Sequence, residues 1–224
     1  MPSLAAALRS TRWGAELTEE EFERALAGTV ERRIETGAFV CMKGEPVDHW
    51  MGVVDGLVKM SSDWITGKTT TFTGLAAGGW FGEGSLLKND PRKYDVVALR
   101  DSRIAYMNRA TYLWLMDHSI PFNRFLITQL NERLGQFIGM MENERLLDID
   151  ARLARNLAAL FNPVLYPGTE RELLISQEEI GFLAGLSRQR VNQALKTLQD
   201  ADLLRLEYGK VVILDVEGLR RFGE

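Results

Sequence analysis

The run Ser176-Gln-Glu-Glu-Ile-Gly-Phe-Leu-Ala-Gly-Leu-Ser-Arg-Gln-Arg-Val-Asn-Gln-Ala-Leu-Lys196 leaves its backbone few choices. Ser176 followed three residues later by Glu179 is a capping box, which starts a helix at Gln177. Ile180, Leu183 and Ala184 then face inward, and Gly185 ends the helix because glycine enters the left-handed region without steric cost. Leu186 can anchor the turn in a core, and Ser187 can cap a second helix. In that helix Val191, Ala194, Leu195 and Leu198 stand at i, i+3, i+4 and i+7, so one stripe is apolar. The local signals specify helix, short turn, helix.

The opposite side of the second helix is long, polar and cationic: Arg188, Gln189, Asn192, Gln193 and Lys196. These types suit the DNA major groove. Arginine pairs with both acceptors of guanine, glutamine pairs bidentately with adenine, and lysine together with the cap serine can hold phosphates. The helix N-terminus adds a partial positive charge. Leu203 to Leu206 and Val211 to Leu214 read as two strands joined across Tyr208-Gly209-Lys210, a cationic hairpin beside the helix. The set makes a winged helix-turn-helix, with Ser187, Arg188, Gln189, Arg190, Asn192, Gln193, Lys196 and Lys210 as candidate DNA contacts. The plainer alternative is a solvated amphipathic face. A net charge of −4 argues against nucleic acid only until it is divided along the chain. Residues 1–150 hold 17 basic and 21 acidic side chains, residues 151–224 hold ten of each, and none between Ser187 and Gln199 is acidic.

Upstream the period is different. From Ala38 to about Ile104 short, partly alternating apolar runs are broken by nine glycines between Gly44 and Gly84, which predicts many short strands in a small barrel or roll. A helix over Thr18 to Gly28 precedes it, opened by a Thr18/Glu21 capping box. After Met107 helical spacing returns: Asn108 can cap a helix through Met116, and Pro121 suits the first turn of a longer one. That longer helix, about 121–145, carries Ile127, Leu130, Leu134, Phe137 and Met141 at heptad steps. Either this seam packs on its own roll or two copies zip along it, and its length and position favour a dimer. Asp148 and Asp150 open another helix with Leu153, Leu157 and Leu160 inward, closed by Asn162-Pro163. A hairpin is expected around Pro167-Gly168, with Val164 to Tyr166 and Glu172 to Ile175 as strands. Two domains follow, 1–146 and 147–224.

Other classes lack their residues. One cysteine, Cys41, cannot make an intrachain disulfide, a multi-thiolate zinc site or an iron–sulfur ligand set. No apolar run is long enough to span a bilayer, and the N-terminus has no basic region before its apolar stretch, so a cytoplasmic location is expected and no membrane partner. No nucleophile triad, metal-histidine pair or phosphate-loop motif is visible, so no enzyme is expected.

The order of parts resembles the Crp/Fnr family of bacterial transcription regulators over nearly the whole chain. The Ile175 to Lys196 run is similar to that family's DNA-reading motif. Gly44, Gly56 and Gly82 fall where its cyclic-nucleotide-binding β-roll has turn glycines, and Gly79-Trp-Phe-Gly-Glu83 looks like the start of its phosphate-binding cassette. The resemblance implies an α+β fold: an N-terminal cyclic-nucleotide-binding-type β-roll, a long dimerisation helix and a C-terminal winged helix-turn-helix. It implies a homodimeric regulator binding double-stranded DNA, with RNA polymerase a further candidate partner. The cassette Gly82, Glu83, Gly84, Ser85, Arg92 and Lys93 is the implied ligand site, for a cyclic nucleotide or another small anionic effector.

Departures qualify that implication. Glu83 and Arg92 match the ribose acceptor and the phosphate-holding arginine, but Lys93 replaces a serine and Tyr94 a small residue. Phe137 and Ile138 stand where a Thr-Ser pair meets adenine in cyclic-AMP-binding members, and an apolar pair cannot replace those hydrogen bonds. The alternatives left open are a non-cyclic-AMP anionic ligand, no effector, or a ligand-binding module without DNA function. Cassette residues that serve only as turns and solvated charges are the bland reading. Haem would need axial ligands from His49, His118, Met42 or Cys41, and no metal is assigned. Gln189 and Gln193 replace a glutamate and an arginine among the family's base readers, so a different half-site is expected.

Overall fold

Three short helices, α1 (Leu4–Arg9), α2 (Arg12–Glu16) and α3 (Glu19–Ala27), open the computed structural model, which describes residues 3–63 and 69–223. Side-chain caps from Ser3, Thr11 and Thr18 start them, and Thr18 with Glu21 forms the expected capping box. The strands follow: β1 (Thr29–Ile34), β2 (Phe39–Cys41), β3 (His49–Asp55), β4 (Leu57–Asp63), β5 (Thr69–Ala76) and β6 (Trp80–Phe81). A short helix α4 (Glu83–Lys88) separates these from β7 (Asp95–Ala98) and β8 (Ser102–Asn108). They make two antiparallel sheets, ordered β1-β8-β3-β6 and β2-β7-β4-β5. The Gly67 turn lies outside the described residues.

Strand alternation places two cores on either side of one sheet. Met51, Val53, Ile104 and Tyr106 point between the sheets and pack with Val58, Met60, Leu75 and Val96. Their neighbours Trp50, Ala105 and Met107 point outward, where they meet Trp13 of α2 and Phe22 of α3. β1, which precedes the expected strand region, is polar because it is an edge: Glu31 accepts from Arg103 of β8 at 2.8 and 2.7 Å.

Helix α5 (Arg109–His118) is capped by Asn108, and α6 (Ile120–Leu146) runs 27 residues with Pro121 in its first turn. Its base closes the outer core through Phe122 and Leu126. Next come α7 (Ile149–Ala159), β9 (Glu172–Leu173), α8 (Gln177–Ala184), α9 (Arg188–Asp200), β10 (Leu204–Glu207), β11 (Lys210–Ile213) and α10 (Val216–Arg221). Their third core joins Leu153, Leu157, Ile180, Val191, Leu195 and Leu198 with Leu57 of the roll.

The hairpin expected around Pro167-Gly168 does not form. Asn162 Oδ1 accepts from the Val164 and Leu165 amides at 2.9 Å, which curls Val164–Tyr166 into a turn. Leu165 and Tyr166 are then buried in the roll's core, with the Tyr166 hydroxyl 3.1 Å from Thr73 Oγ1 and donating to Gln136 Oε1 at 3.2 Å. Glu172 and Leu173 pair instead with β11, as the third strand of the β10-β11-β9 sheet. Among the described residues no helix is long and apolar enough to cross a membrane.

Candidate nucleic-acid interface and effector cassette

The helix pair forms as its caps dictate. Ser176 and Glu179 close the capping box of α8, Gly185 takes φ 65°, and Ser187 Oγ accepts from the Arg190 amide. Helix α9 buries Val191, Ala194, Leu195 and Leu198 completely. Ser187, Arg188, Gln189, Asn192, Gln193 and Lys196 are all exposed, so one face of one helix collects them. Arg190 turns aside. Its Nη1 donates to Gln193 Oε1 at 2.9 Å and its Nη2 lies 3.5 Å from Asp150 Oδ1, in the first turn of α7.

The hairpin of β10 and β11 is tied to α9 where the Leu206 amide donates to Gln199 Oε1 at 2.9 Å. It is not the cationic arm its sequence suggests. Lys210 Nζ lies 2.8 Å from Glu172 Oε2 and 3.1 Å from Glu207 Oε2, and Arg205 pairs with Glu207 at 2.9 Å. Hydrogen bonds to Glu172 and Glu207 hold the lysine above its ordinary pKa, and those from Lys210 and Arg205 hold Glu207 below its own. Glu172 arrives on β9, so its partnership depends on a strand pairing that local sequence does not announce. At the hairpin tip stands Tyr208, fully exposed.

The cassette is more closed than its composition suggests. Gly82 takes φ 95°, and a Cβ there would come within 3.0 Å of Arg92 Nη1. Glu83 is buried, and its Oε1 lies 3.5 Å from Nε of Arg133, which is itself buried on α6 and donates from Nη2 to the Trp80 carbonyl at 2.8 Å. Arg133 was not singled out by motif, because its role depends on α6 crossing the cassette. Arg92 is also buried and gives Nη2 to the His49 carbonyl at 3.2 Å. Ser85 donates to the Pro91 carbonyl at 3.4 Å, Lys93 pairs with Asp90 at 3.5 Å on the surface, and a Cβ at Gly84 would meet nothing within 4 Å. Burial, and then the Glu83 charge, raise the Tyr94 hydroxyl's pKa; burial pushes the Cys41 thiol up to about 11 and lowers the His49 pKa. Glu83 thus meets Arg133 through one oxygen only, its Oε2 and the Arg133 Nη1 are buried without a hydrogen-bond partner among the described residues, and Arg92 is turned to a backbone carbonyl.

Helix α6 buries one face and exposes an apolar stripe on another. Phe122, Leu126, Gln129 and Arg133 are buried at steps of four, three and four residues. Phe137 continues that side, partly buried against the roll's core, and so departs from the expected seam. Ile138 takes its place in the exposed stripe with Ile127, Leu130, Leu134 and Met141. Contacts also run from roll to reader: Arg100 gives Nε and Nη2 to Glu179 Oε1 at 2.9 and 2.7 Å, and Lys59 Nζ lies 4.9 Å from the Phe182 ring.

Residues 31–119 match the family model of the cyclic nucleotide-binding domain, and residues 151–222 that of the Crp-like helix-turn-helix domain. The cAMP-activated global transcriptional regulator CRP of Haemophilus influenzae is 29% identical over 175 residues, covering 76% of this chain and 77% of that protein. The CRP-like cAMP-activated global transcriptional regulator of Mycobacterium tuberculosis is 29% identical over 192 residues, covering 83% and 84%. Among solved structures, Thermus thermophilus catabolite activator protein is 25% identical, with a TM-score of 0.53 over 94% of this chain and 98% of that one. FixK2 from Bradyrhizobium japonicum shares the fold, with a TM-score of 0.72 at 18% identity over 88% of this chain and 98% of that one.

Proposed function

We propose, on the premise that the chain belongs to the Crp/Fnr family of transcription regulators, that it binds an inverted-repeat operator as a homodimer through α9. The protein is an effector-controlled, DNA-binding transcription regulator and not an enzyme. The observation that carries the docking proposal is α9 itself: four apolar residues wholly buried, and a polar face with no acidic residue before Asp200 left outside. Arg188, Gln189, Asn192, Gln193 and Lys196 enter the major groove, with Ser187 and the helix N-terminus at a phosphate. The exposed stripe of α6 supports dimerisation, since a long apolar seam left to water favours a partner. A two-fold dimer places its half-sites about 34 Å apart, one turn of DNA. RNA polymerase is the further partner proposed for the DNA-bound dimer. The sensor and reader units are proposed as 1–146 and 147–224, with Leu165 and Tyr166 of the reader anchored in the roll.

The effector is proposed to act at the cassette as a small anion other than cyclic AMP held in its relatives' mode. The unpartnered buried Glu83 Oε2 and Arg133 Nη1 support a polar ligand, and the apolar Phe137 and Ile138 support a mode unlike that of cyclic-AMP-binding members. Selecting bound DNA from a random pool, with and without cyclic AMP and cyclic GMP, tests both proposals. An enriched inverted repeat unaffected by either nucleotide is expected. Absence of any enriched sequence overturns the DNA docking, and tightening of the selected site by cyclic AMP overturns the effector reading.

A further inference from the structure

We infer that Gln193 reads a base edge that offers acceptors, guanine or thymine, in preference to adenine, because Arg190, itself braced by Asp150, holds its amide oxygen. This rests on the proposal that α9 enters the major groove. A glutamine recognises adenine with both ends of its amide: the oxygen accepts from the base's amino group and the nitrogen donates to N7. Here the oxygen is engaged before DNA arrives, by Arg190 Nη1 at 2.9 Å. The orientation is fixed by chemistry, since a guanidinium carries donors only and the atom facing it has to be the carbonyl oxygen.

The arginine is fixed in its turn. Its Nη2 lies 3.5 Å from Asp150 Oδ1, and the other oxygen of Asp150 accepts from Thr197 Oγ1 at 3.2 Å. Arg190, Gln193 and Thr197 stand at i, i+3 and i+7 of α9, so one stripe of the helix leans on the first turn of α7. The Asp150 side chain is 25% exposed and that of Arg190 39%, so the link is partly sheltered from water. With one lone pair of its oxygen taken and that oxygen turned toward a cation, the freer end of Gln193 is its amide nitrogen, with two donors. Guanine O6 and N7, or thymine O4, accept them. An adenine amino group would have to share that oxygen with a charged donor, the stronger partner, which fixes the amide's direction. Arg190 is therefore a positioning residue for base reading.

The test is selection from random DNA with the full-length protein and its variants, each checked for an unchanged thermal midpoint. Gln193→Ala marks the half-site position that Gln193 reads, as the one whose preference disappears. At that position the wild type is expected to select guanine or thymine. Arg190→Ala frees the oxygen and should move the preference toward adenine by about tenfold, within the discrimination a bidentate pair provides. Asp150→Asn, which leaves Arg190 without its charged partner, should move it the same way by less. A merely structural or phosphate-binding arginine would alter affinity for all sequences alike and leave that position unchanged. Adenine in the wild type, or an identical preference in Arg190→Ala, overturns the inference while leaving the docking intact. Failure of the wild type to enrich any sequence overturns the docking on which it rests.

Discussion

Charge on this protein acts according to its partners. Arg188 has an exposed place at the start of α9, so Arg188→Ala should weaken operator binding by about 1–3 kcal/mol and relax one base position, measured by titration against mutated half-sites. Lys210, equally cationic on paper, is held between Glu172 and Glu207. Lys210→Ala should therefore leave the slope of log affinity against log salt unchanged, and a slope shallower by about one would show a direct phosphate contact. His49 gives a pH dependence. Burial lowers its folded pKa, so the unfolded chain takes up the proton first as pH falls below about 6.5. Stability contributed above that value is lost as pH drops toward the folded pKa. Denaturant midpoints at pH 7.5 and 5.5 should differ by less in His49→Gln than in the wild type.

At the scale of elements, α6 divides its duties by face. Leu134 is 58% exposed on the stripe and Phe137 is turned to the roll. Leu134→Asp should halve the mass seen by sedimentation without lowering the thermal midpoint, and should weaken operator binding about a hundredfold through lost avidity. Phe137→Ala should instead cost stability, about 2 kcal/mol, below the range for a fully buried phenylalanine. Unchanged mass in the first variant would sink the seam. The heptad in α6 was legible because the steps repeat, but which of Phe137 and Ile138 faces outward was not. A 3.6-residue helix drifts about 20° per heptad from the 3.5 repeat, and by the third repeat the next residue can occupy the face. The α8–α9 pair was legible to the residue because its caps and Gly185 act locally. The curl of Val164–Tyr166 was not, because burial of Leu165 and Tyr166 depends on a roll formed a hundred residues earlier. Edge strand β1 hid for a similar reason: its partners lie on β8.

At the scale of the molecule, sensor and reader share their packing, with Leu57 in the reader's core and Leu165 and Tyr166 in the roll's. Arg100, in the turn before β8, and Glu179, in the first turn of α8, form the one bidentate link among the described contacts that ties the roll to the helix pair by charge. Arg100→Ala should leave Glu179 free to cap Ser176, so α8 should persist while docking loosens. Hydrogen exchange across α8 and β5 should speed up with the thermal midpoint of the roll unchanged, and unaltered exchange would show that Leu183 against Gly74 suffices. The same architecture makes the protein its own optical instrument. Three of its five tryptophans, Trp13, Trp50 and Trp80, sit together, with Trp50 and Trp80 ring centroids 4.2 Å apart and Phe122 at the base of α6 against Trp13 and Trp50. Arg133 fastens α6 to the backbone of Trp80. A tilt of α6 would change the spacing and coupling of these indoles, so any such tilt on adding a ligand or DNA would register in native fluorescence, with no label attached.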